Sequence, residues 1–333
     1  MTKLVTSVAA LQLVERGLIT LDEDVSPLLP SLARLEILTG FAEDGTPITR
    51  KRRNPITLRQ LLTHSAGCGY AMMNRSLARY KTWKNAPPFP GTIDEEFDVP
   101  LAHEPGEGFL YSSGIDRTGQ LITKITGQDL EEYMKRNIWE SLGMSSTTFF
   151  PSKHPDIQAR LVPMGYRSGP TGSVVETGEE PWFAKNVKEP YGGQGLYTTM
   201  KDYMKLLHSL LVDDEKVLKK ETTALLFQPQ LSSASKEALL KAMKGPEWCI
   251  GDFPPTNEYD WGLGGILIDG DKHEYRRNGT LIWSGAANLF WFIDRTAGVC
   301  GAFGTQVLPP CDAKTKLLIK AFEEEVYRKA GKL

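Results

Sequence analysis

The chain opens with the stretch MTKLVTSVAALQLVERG, residues 1–17, which decides its fold. Apolar residues dominate from Leu4 to Val14, and Gly17 suits the left-handed residue that commonly follows a helix end. The stretch therefore predicts a mostly buried helix over residues 4–16. Lys3 in its first turn is unusual, because a positive charge there opposes the helix dipole, which favours anions at an N-terminus.

One chemistry explains a lysine at this position. In the pattern Ser-x-x-Lys, a serine at the helix start is the nucleophile and the lysine one turn later is its base. Counting back three residues from Lys3 gives the position directly before Met1. We therefore expect the printed chain to begin one residue after the nucleophilic serine. Taken alone, Lys3 fits an ordinary surface lysine better, so this interpretation depends on two later stretches.

Those stretches are Tyr111-Ser112-Ser113 and Trp283-Ser284-Gly285. Together with Thr2-Lys3, and in this order, they resemble the serine β-lactamase and penicillin-binding-protein superfamily, especially its class C-like esterase and acyltransferase branch. Within that branch, YSSGID (residues 111–116) and NLFWFIDR (residues 288–295) are similar to fungal polyketide transesterases of the lovastatin-acyltransferase type. The resemblance extends from residue 1 to about residue 310.

The resemblance implies a role for each motif. The serine would attack an ester, thioester or amide carbonyl, and Lys3 would take the hydroxyl proton. Burial of Lys3 within the apolar stretch would favour its neutral form, as a base requires. Tyr111 would relay the proton and later activate the acyl acceptor. Two backbone N–H groups, from the serine and from Ala286, would bind the oxyanion.

Two departures from the lactamase pattern bear on the substrate. Trp283 stands where the third motif usually has the lysine that binds an antibiotic carboxylate, and Ser113 stands where an asparagine is usual. Both argue against β-lactams and for a neutral acyl substrate. The predicted oxyanion and substrate-binding set is therefore Trp283, Ser284, Gly285, Ala286 and Ser113. A core position for Trp283 remains an alternative.

Three functions stay open on these residues. The chain is expected to be a serine acyltransferase that moves an acyl group to an alcohol of a small secondary metabolite. A carboxylesterase of the same family would use the same residues, with water in place of the alcohol. An inactive fragment or pseudoenzyme is the third possibility, because the nucleophile is absent. The expected partners are a small-molecule acyl donor and an alcohol or water, with no cofactor and no metal.

Composition limits the class of protein. Hydrophobic and charged contents of 41% and 24% are those of a soluble globular protein. A net charge of -2 gives no reason to expect nucleic acid or membrane as partner. No apolar run approaches the roughly 20 residues that span a bilayer. The four cysteines lack metal-type spacing and predict a reducing compartment without a disulfide framework, so we expect a cytoplasmic protein, unless a targeting segment has been lost.

Two rival nucleophile motifs are rejected. Ser233-Ala234-Ser235-Lys236 also fits Ser-x-x-Lys, but it begins a polar helix whose surroundings offer the lysine neither burial nor a nearby cation, so an N-cap is the better interpretation. A nucleophile elbow around Ser65 would need glycine at position 63, where the chain has threonine. Residues 61–64, Leu-Leu-Thr-His, resemble a family signature at the active-site rim, and His64 is expected to be structural.

The remaining patterns outline the fold. Helices are predicted over Gly114–Thr126, Gln128–Gly143, Met200–Leu211 and Ala313–Lys329, the last with Leu317, Leu318, Ala321, Phe322 and Val326 on its apolar side. Strands are predicted over Leu263–Ile268, His273–Arg277, Leu289–Ile293 and Val299–Gly304, as an antiparallel sheet. The irregular, aromatic-rich segment 70–100 is expected to be a pocket wall that binds the acyl group.

The expected fold class is α/β, of the α+β lactamase type: an antiparallel sheet flanked by helices, plus a mostly helical lobe. We expect residues 1–333 to form one N-terminally truncated domain. Its helical lobe would span about residues 26–200, and its α/β lobe would combine residues 1–25 with about 201–333.

Overall fold

The computed structural model describes residues 1–178, 181, 184–245 and 252–333. Its α-helices are α1 (Thr2–Glu15), α2 (Pro30–Ala33), α3 (Leu58–Leu62), α4 (Arg75–Trp83), α5 (Ile93–Glu96), α6 (Gly114–Thr126), α7 (Leu130–Met134), α8 (Glu140–Leu142), α9 (Pro155–Gln158), α10 (Met200–Val212), α11 (Lys220–Leu226), α12 (Ser233–Ala242) and α13 (Ala313–Lys329). Its strands are β1 (Ile37–Phe41), β2 (Pro47–Arg50), β3 (Gly165–Arg167), β4 (Val174–Glu176), β5 (Tyr259–Trp261), β6 (Ile266–Ile268), β7 (Leu281–Gly285), β8 (Leu289–Asp294), β9 (Val299–Phe303) and β10 (Val307–Leu308).

Helix α1 is central to the fold. Every residue from Thr2 to Leu13 is buried, and the helix packs against α6 and α7. The Tyr203 hydroxyl of α10 donates to the Met1 carbonyl at 3.1 Å. The predicted helix is confirmed, and Gly17 follows it in the left-handed conformation, with φ +65°. Since the helix is buried on all sides, its apolar residues are distributed around the whole helix rather than confined to one face.

The largest sheet has the antiparallel order β5-β6-β7-β8-β9. In its register Trp283 pairs with Trp291, and Gly285 at the end of β7 pairs with Leu289. Helices α10 and α13 pack against β9. The predicted antiparallel sheet flanked by helices is thus confirmed, and β7 carries the third motif to one end of it.

Two details of the predicted sheet are wrong. Residues 273–277 form no strand, because Arg276 turns inward and makes a fully buried ion pair with Glu323 of α13, at 2.6 Å. Strands β5 and β7 were not predicted as strands. Strand β5 has only three residues, and β7 is buried on both faces from Leu281 to Ser284, so neither shows a clear alternation of buried and exposed positions.

The C-terminal helix has the predicted bounds but not the predicted face. Thr315, Ile319, Glu323 and Tyr327 form its buried side. Leu317 and Leu318 are 69% and 58% exposed, and Ala321 is also exposed, whereas Phe322 and Val326 are partly buried. The face is rotated because the polar residues Glu323 and Tyr327 find buried partners in Arg276 and Asp294.

The middle of the chain is mostly helical, as predicted. Helix α6 has the predicted bounds, and Gly127 ends it at φ +68°. The helix expected over residues 128–143 is divided into α7, a π-helical turn (Lys135–Trp139) and α8. Helix α10 begins at the predicted Met200, and its N-cap is Thr199, whose hydroxyl accepts the Asp202 N–H. One buried core unites α1, α6, α10 and the large sheet, while the division into two lobes stays a prediction.

The cysteine prediction needs correction. Cys311 is disulfide-bonded, whereas Cys68 and Cys300 are free thiols. The expectation of fully reduced cysteines was therefore wrong for Cys311, because no spacing rule singles out this cysteine from sequence alone. Among the residues that the structure describes, no helix is both long enough and apolar enough to cross a bilayer.

Candidate active site

Lys3 lies at the start of α1 with only 5% of its surface exposed. Its Nζ donates to the Gly193 carbonyl at 2.7 Å and to the Tyr70 hydroxyl at 3.3 Å. The same atom is 4.8 Å from the centre of the Tyr111 ring, within the range of a cation–π contact. Both groups that accept hydrogen bonds from Lys3, a carbonyl and a tyrosine hydroxyl, are neutral. Neither of these hydrogen bonds is an ion pair.

Tyr111 joins the second motif to the third. The Trp283 indole N–H donates to the Tyr111 hydroxyl at 3.1 Å, and the two ring centres are 5.2 Å apart. Because Lys3 Nζ also lies over the Tyr111 ring, the structure brings all three motifs together. They were identified from stretches more than 100 residues apart, and here they share one cavity wall.

The end of β7 closes this group. Ser284, Gly285 and Ala286 line the same cavity as Lys3 and Tyr111. The Met1 backbone nitrogen is 3.4 Å from the Ser284 carbonyl oxygen. Any residue joined to Met1 therefore starts beside the Ser284–Ala286 backbone, where the resemblance implies an oxyanion site.

Ser113 is a correction to the predicted substrate-binding set. It is buried directly before α6, and its hydroxyl donates to the Cys68 carbonyl at 3.1 Å. It is not among the residues that line the cavity. Since Cys68 also accepts the Ser113 N–H, at 2.9 Å, Ser113 fixes the turn into α6 rather than contacting a substrate.

A buried carboxylate lies behind Lys3, and sequence reasoning missed it. Asp116, in the first turn of α6, is fully buried. Its Oδ2 accepts the Tyr70 hydroxyl at 2.7 Å, and its Oδ1 accepts the Gly193 N–H at 2.9 Å. Burial raises the pKa of Asp116, while the charge of Lys3 and these hydrogen bonds act in the opposite direction. Burial likewise raises the pKa of Tyr70 well above its usual value, and the Asp116 charge adds to this.

Gly193 belongs to a glycine-rich run before α10, Tyr-Gly-Gly-Gln-Gly-Leu at residues 191–196. A Cβ at this position would lie 2.5 Å from Asp116 Oδ2, closer than any real contact allows. Glycine therefore lets the backbone approach the carboxylate closely enough to donate to it. Its carbonyl meanwhile accepts from Lys3. No sequence motif predicts that Gly193 links Lys3 to Asp116. The available signals were weaker: Asp116 lies within the YSSGID stretch, and Tyr70 lies within the predicted pocket wall.

His64 is structural, in agreement with the prediction. Its ring is fully buried, and Nδ1 accepts the Ser112 N–H at 3.2 Å and lies 2.9 Å from the Ser112 hydroxyl. Burial, with the Lys3 charge adding to it, lowers the pKa of His64 well below its usual value. The neutral ring packs 4.5 Å from the Tyr111 ring centre and so fixes the position of that tyrosine.

The rival lysine has a different environment. Lys236 forms ion pairs with Asp269 and, at 3.4 Å, with Asp260. The Ser232 hydroxyl accepts the Ser235 N–H at 3.2 Å, so the helix cap is Ser232, one residue earlier than the rejected motif suggested. Ser233 and Lys236 do not line the main cavity. The rejection of this motif agrees with the structure.

The cavity has a volume of about 1170 Å³ and runs from Lys3 to an apolar rim. Much of the predicted pocket wall takes part in it, including Tyr70, Met72, Met73, Phe89 and Phe97, whereas Trp83 does not. Leu161, Val162 and Met200 add apolar surface from other segments. At this size the cavity exceeds the usual range of about 300–1,000 Å³ for drug-sized ligands.

The sequence pattern of the beta-lactamase family matches residues 1–322. The chain belongs to the beta-lactamase family. One relative is a lovastatin esterase of Penicillium rubens, which is 37% identical to this chain over 335 residues. The match covers 98% of this chain and 84% of the esterase. A monacolin J acid methylbutanoyltransferase of Aspergillus terreus is 35% identical over 333 residues, covering 98% and 80%.

A solved structure agrees with this membership. The unliganded simvastatin synthase from Aspergillus terreus superposes with a TM-score of 0.89 at 35% identity, covering 98% of this chain and 82% of that chain. The predicted resemblance to a β-lactamase-type fold, and to fungal acyltransferases and esterases of the lovastatin-acyltransferase type, is thereby confirmed. The beta-lactamase fold of this family member is α/β, with the helices and antiparallel sheet described above.

Proposed function

We propose that this chain is a serine-type acyltransferase that moves an acyl group, through an acyl-enzyme, to an alcohol of a small apolar metabolite. The observation that carries the proposal is the meeting of Lys3, Tyr111 and Trp283 at the inner end of a large apolar cavity. The relatives named as a methylbutanoyltransferase and a lovastatin esterase support an acyl-transfer reaction. Lys3 and Tyr111 are assigned the proton transfers.

In the Ser-x-x-Lys pattern the nucleophile is a serine hydroxyl three residues before the lysine, which in this numbering is the position directly before Met1. The Lys3 amine takes the hydroxyl proton as the serine oxygen bonds to the acyl carbon. The tetrahedral oxyanion forms beside Ala286, whose N–H is assigned as one of its two donors. The leaving alcohol or thiol then departs with that proton, which Tyr111 relays, and the acyl-enzyme remains.

In the second half of the reaction the acceptor alcohol attacks the acyl-enzyme. Tyr111 relays the proton of the alcohol to Lys3 as the alcohol oxygen bonds to the acyl carbon. The bond between the serine oxygen and the acyl carbon then breaks, the serine oxygen takes the proton back, and the new ester leaves. Trp283 supports a neutral substrate, since it presents an indole where a substrate-binding lysine would place a charge. Hydrolysis follows the same steps with water as the acceptor.

The volume of the cavity favours transfer over hydrolysis. About 1170 Å³ accommodates an acyl chain together with a multi-ring acceptor, whereas hydrolysis needs space only for the donor and a water molecule. The exposed apolar residues Met72, Met73 and Phe89 at the rim suit an apolar acceptor. Esterase activity is the second candidate, supported by the relative of that name.

The test uses three chains that differ only before Met1: the printed chain, one with serine directly before Met1 behind a short glycine leader, and its alanine counterpart. We expect a fluorophosphonate to label only the serine-bearing chain, at that serine, as read by peptide mass spectrometry. Equal labelling of the alanine chain would overturn the assigned nucleophile. Incubation of the serine-bearing chain with an acyl thioester, with and without an apolar alcohol, then measures ester formation against hydrolysis.

A further inference from the structure

Asp116 contacts both residues that accept hydrogen bonds from Lys3, Tyr70 and Gly193. One route runs from Lys3 Nζ to the Tyr70 hydroxyl and from that hydroxyl to Asp116 Oδ2. The other runs from Lys3 Nζ to the Gly193 carbonyl, and the N–H of the same residue donates to Asp116 Oδ1. The carboxylate thus uses both oxygens to support the two acceptors of a single amine.

We propose that Asp116 is the positioning residue of Lys3, a buried carboxylate that acts through the Tyr70 hydroxyl and the Gly193 residue to hold the amine and to set how readily it takes a proton. The assignment of Lys3 as a base rests on the proposed function, but the link between Asp116 and Lys3 can be measured without turnover.

The charges around Lys3 support this pairing. The groups that face it are the Met1 α-amine, His64, Tyr70, Tyr111 and Asp116. Burial, followed by the Lys3 charge, lowers the pKa of the Met1 amine to about 5, so that amine is neutral at pH 7. His64, with its lowered pKa, and Tyr70, with its raised pKa, are neutral as well. Among these groups, Asp116 is the carboxylic acid, and Lys3 and Arg117 both favour its ionised form.

A second cation lies near Asp116 but is engaged elsewhere. The Arg117 guanidinium is fully buried and donates to Asp94, Ser31 and the Phe97 carbonyl. It favours the ionised form of Asp116 through its charge and makes no hydrogen bond to it that would compete with Tyr70. The lysine is thus the cation that Asp116 reaches through hydrogen bonds.

The indirect link suits a base. When Lys3 takes the nucleophile's proton, an N–H bond forms as the O–H bond breaks, and a positive charge develops on a buried nitrogen. Asp116 stabilises that charge across one intervening hydroxyl, because interactions between charges strengthen in a poorly hydrated site. A direct ion pair would instead hold the ammonium more firmly and oppose return of the proton.

The experiment measures the titration of Lys3 itself in the printed chain. Lysine labelled with ¹³C at Cε is incorporated, and the Lys3 signal is assigned by its loss in Lys3→Met. We expect Asp116→Asn, which keeps the shape of the side chain and removes its charge, to lower the Lys3 titration midpoint by at least one pH unit. That shift is a tenfold or greater loss of proton affinity.

Asp294→Asn is the matched control. Asp294 is also fully buried, and its Oδ2 accepts a buried tyrosine hydroxyl, that of Tyr327, at 2.8 Å. Its other bonds are to the Arg277 and Ala297 N–H groups, and none leads to Lys3. We expect an unchanged Lys3 midpoint in this variant. A midpoint in Asp116→Asn within 0.3 pH units of the parent chain, or an equal shift in Asp294→Asn, would overturn the proposal.

A second variant covers the case in which Asp116→Asn does not fold, as judged by circular dichroism. Tyr70→Phe keeps the carboxylate and removes the hydroxyl between it and Lys3. A lower Lys3 midpoint in this variant supports the proposal, and an unchanged or higher one contradicts it. Because acyl-enzyme formation does not enter this measurement, failure of the Asp116 link and failure of the proposed acyl transfer give different results.

Discussion

Two lysines in the first turns of helices show how little a motif says without its surroundings. Lys3 in α1 is 5% exposed and donates to a carbonyl and a tyrosine hydroxyl. Lys236 in α12 is about one-third exposed and forms ion pairs with Asp260 and Asp269. The Lys236 motif has its serine in the sequence, and the Lys3 stretch does not. Even so, only Lys3 has surroundings that suit a base, because two carboxylates hold Lys236 as an ammonium ion.

The largest expected effect tests whether that difference decides catalysis. In the chain with serine before Met1, Lys3→Met should slow acylation by a fluorophosphonate about 10³-fold or more, since nucleophile and base act as a unit. Lys236→Met should leave the rate within about twofold of the parent. Both rates are measured by stopping the fluorophosphonate reaction at a series of times and quantifying the labelled protein. A loss at Lys236 as large as that at Lys3 would mean that the two lysines were assigned the wrong way round.

A smaller effect is expected at Tyr111, because a neighbouring tyrosine is part of what distinguishes the Lys3 site. In the serine-bearing chain, Tyr111→Phe should lower transfer to an alcohol about 10²-fold through loss of the proton relay. The ring contacts with Lys3 and Trp283 remain. Tyr166→Phe, at a 44% exposed position in β3, is the control and should have no effect. Product formation is followed by chromatography, and equal activity of the two variants would remove Tyr111 from the mechanism.

The smallest effect concerns stability at Lys236. Burial acts to lower the pKa of Lys236, but the Asp269 hydrogen bond and the charges of Asp260 and Asp269 outweigh it and raise the pKa above 10.5. A raised pKa means that this group stabilises the fold fully below about pH 10.5, and that the contribution is lost as the pH rises through the folded-state value.

Lys236→Met should therefore lower the free energy of unfolding at pH 7 by at most about 1 kcal/mol, as is typical of partly exposed ion pairs. Urea unfolding of both chains measures the difference, which should shrink above pH 10.5 and in high salt. A difference that grows with rising pH would show that the ion pairs are not its source.

Features set by neighbouring residues could be predicted from the sequence, whereas features set by distant residues could not. The bounds of α6 and α13 and the burial of α1 follow from local signals: capping residues, a helix-ending glycine and apolar runs. The meeting of Lys3, Tyr111 and Trp283 was predictable only through resemblance, because no spacing rule connects residues so far apart. Tyr70 and Asp116 were missed for the same reason, since they are 46 positions apart and meet only when α6 packs beside the pocket wall.

Other errors came from buried polar groups. Arg276 and Glu323 neutralise each other in the interior, so a segment that resembled a strand became irregular and the C-terminal helix turned a mixed face inward. The pattern of apolar residues along the sequence gives no sign of a buried ion pair of this kind. The prediction that Ser113 contacts the substrate was wrong because its hydroxyl donates a hydrogen bond to the Cys68 carbonyl. The two residues come together only in the folded chain, so the sequence alone does not show this bond.

The complete burial of α1 has a consequence for how this protein can change over evolutionary time. Its residues from Thr2 to Leu13 contact the interior on every side, so a substitution there disturbs the core together with the position of Lys3. The cavity rim around Met72, Met73 and Val162 is exposed and makes few demands on the core. On the proposed function, the residues assigned to proton transfer and those assigned to substrate contact therefore lie in separate parts of the chain. Selection could then vary the rim to admit a new acyl group or acceptor while the residues of proton transfer stay fixed.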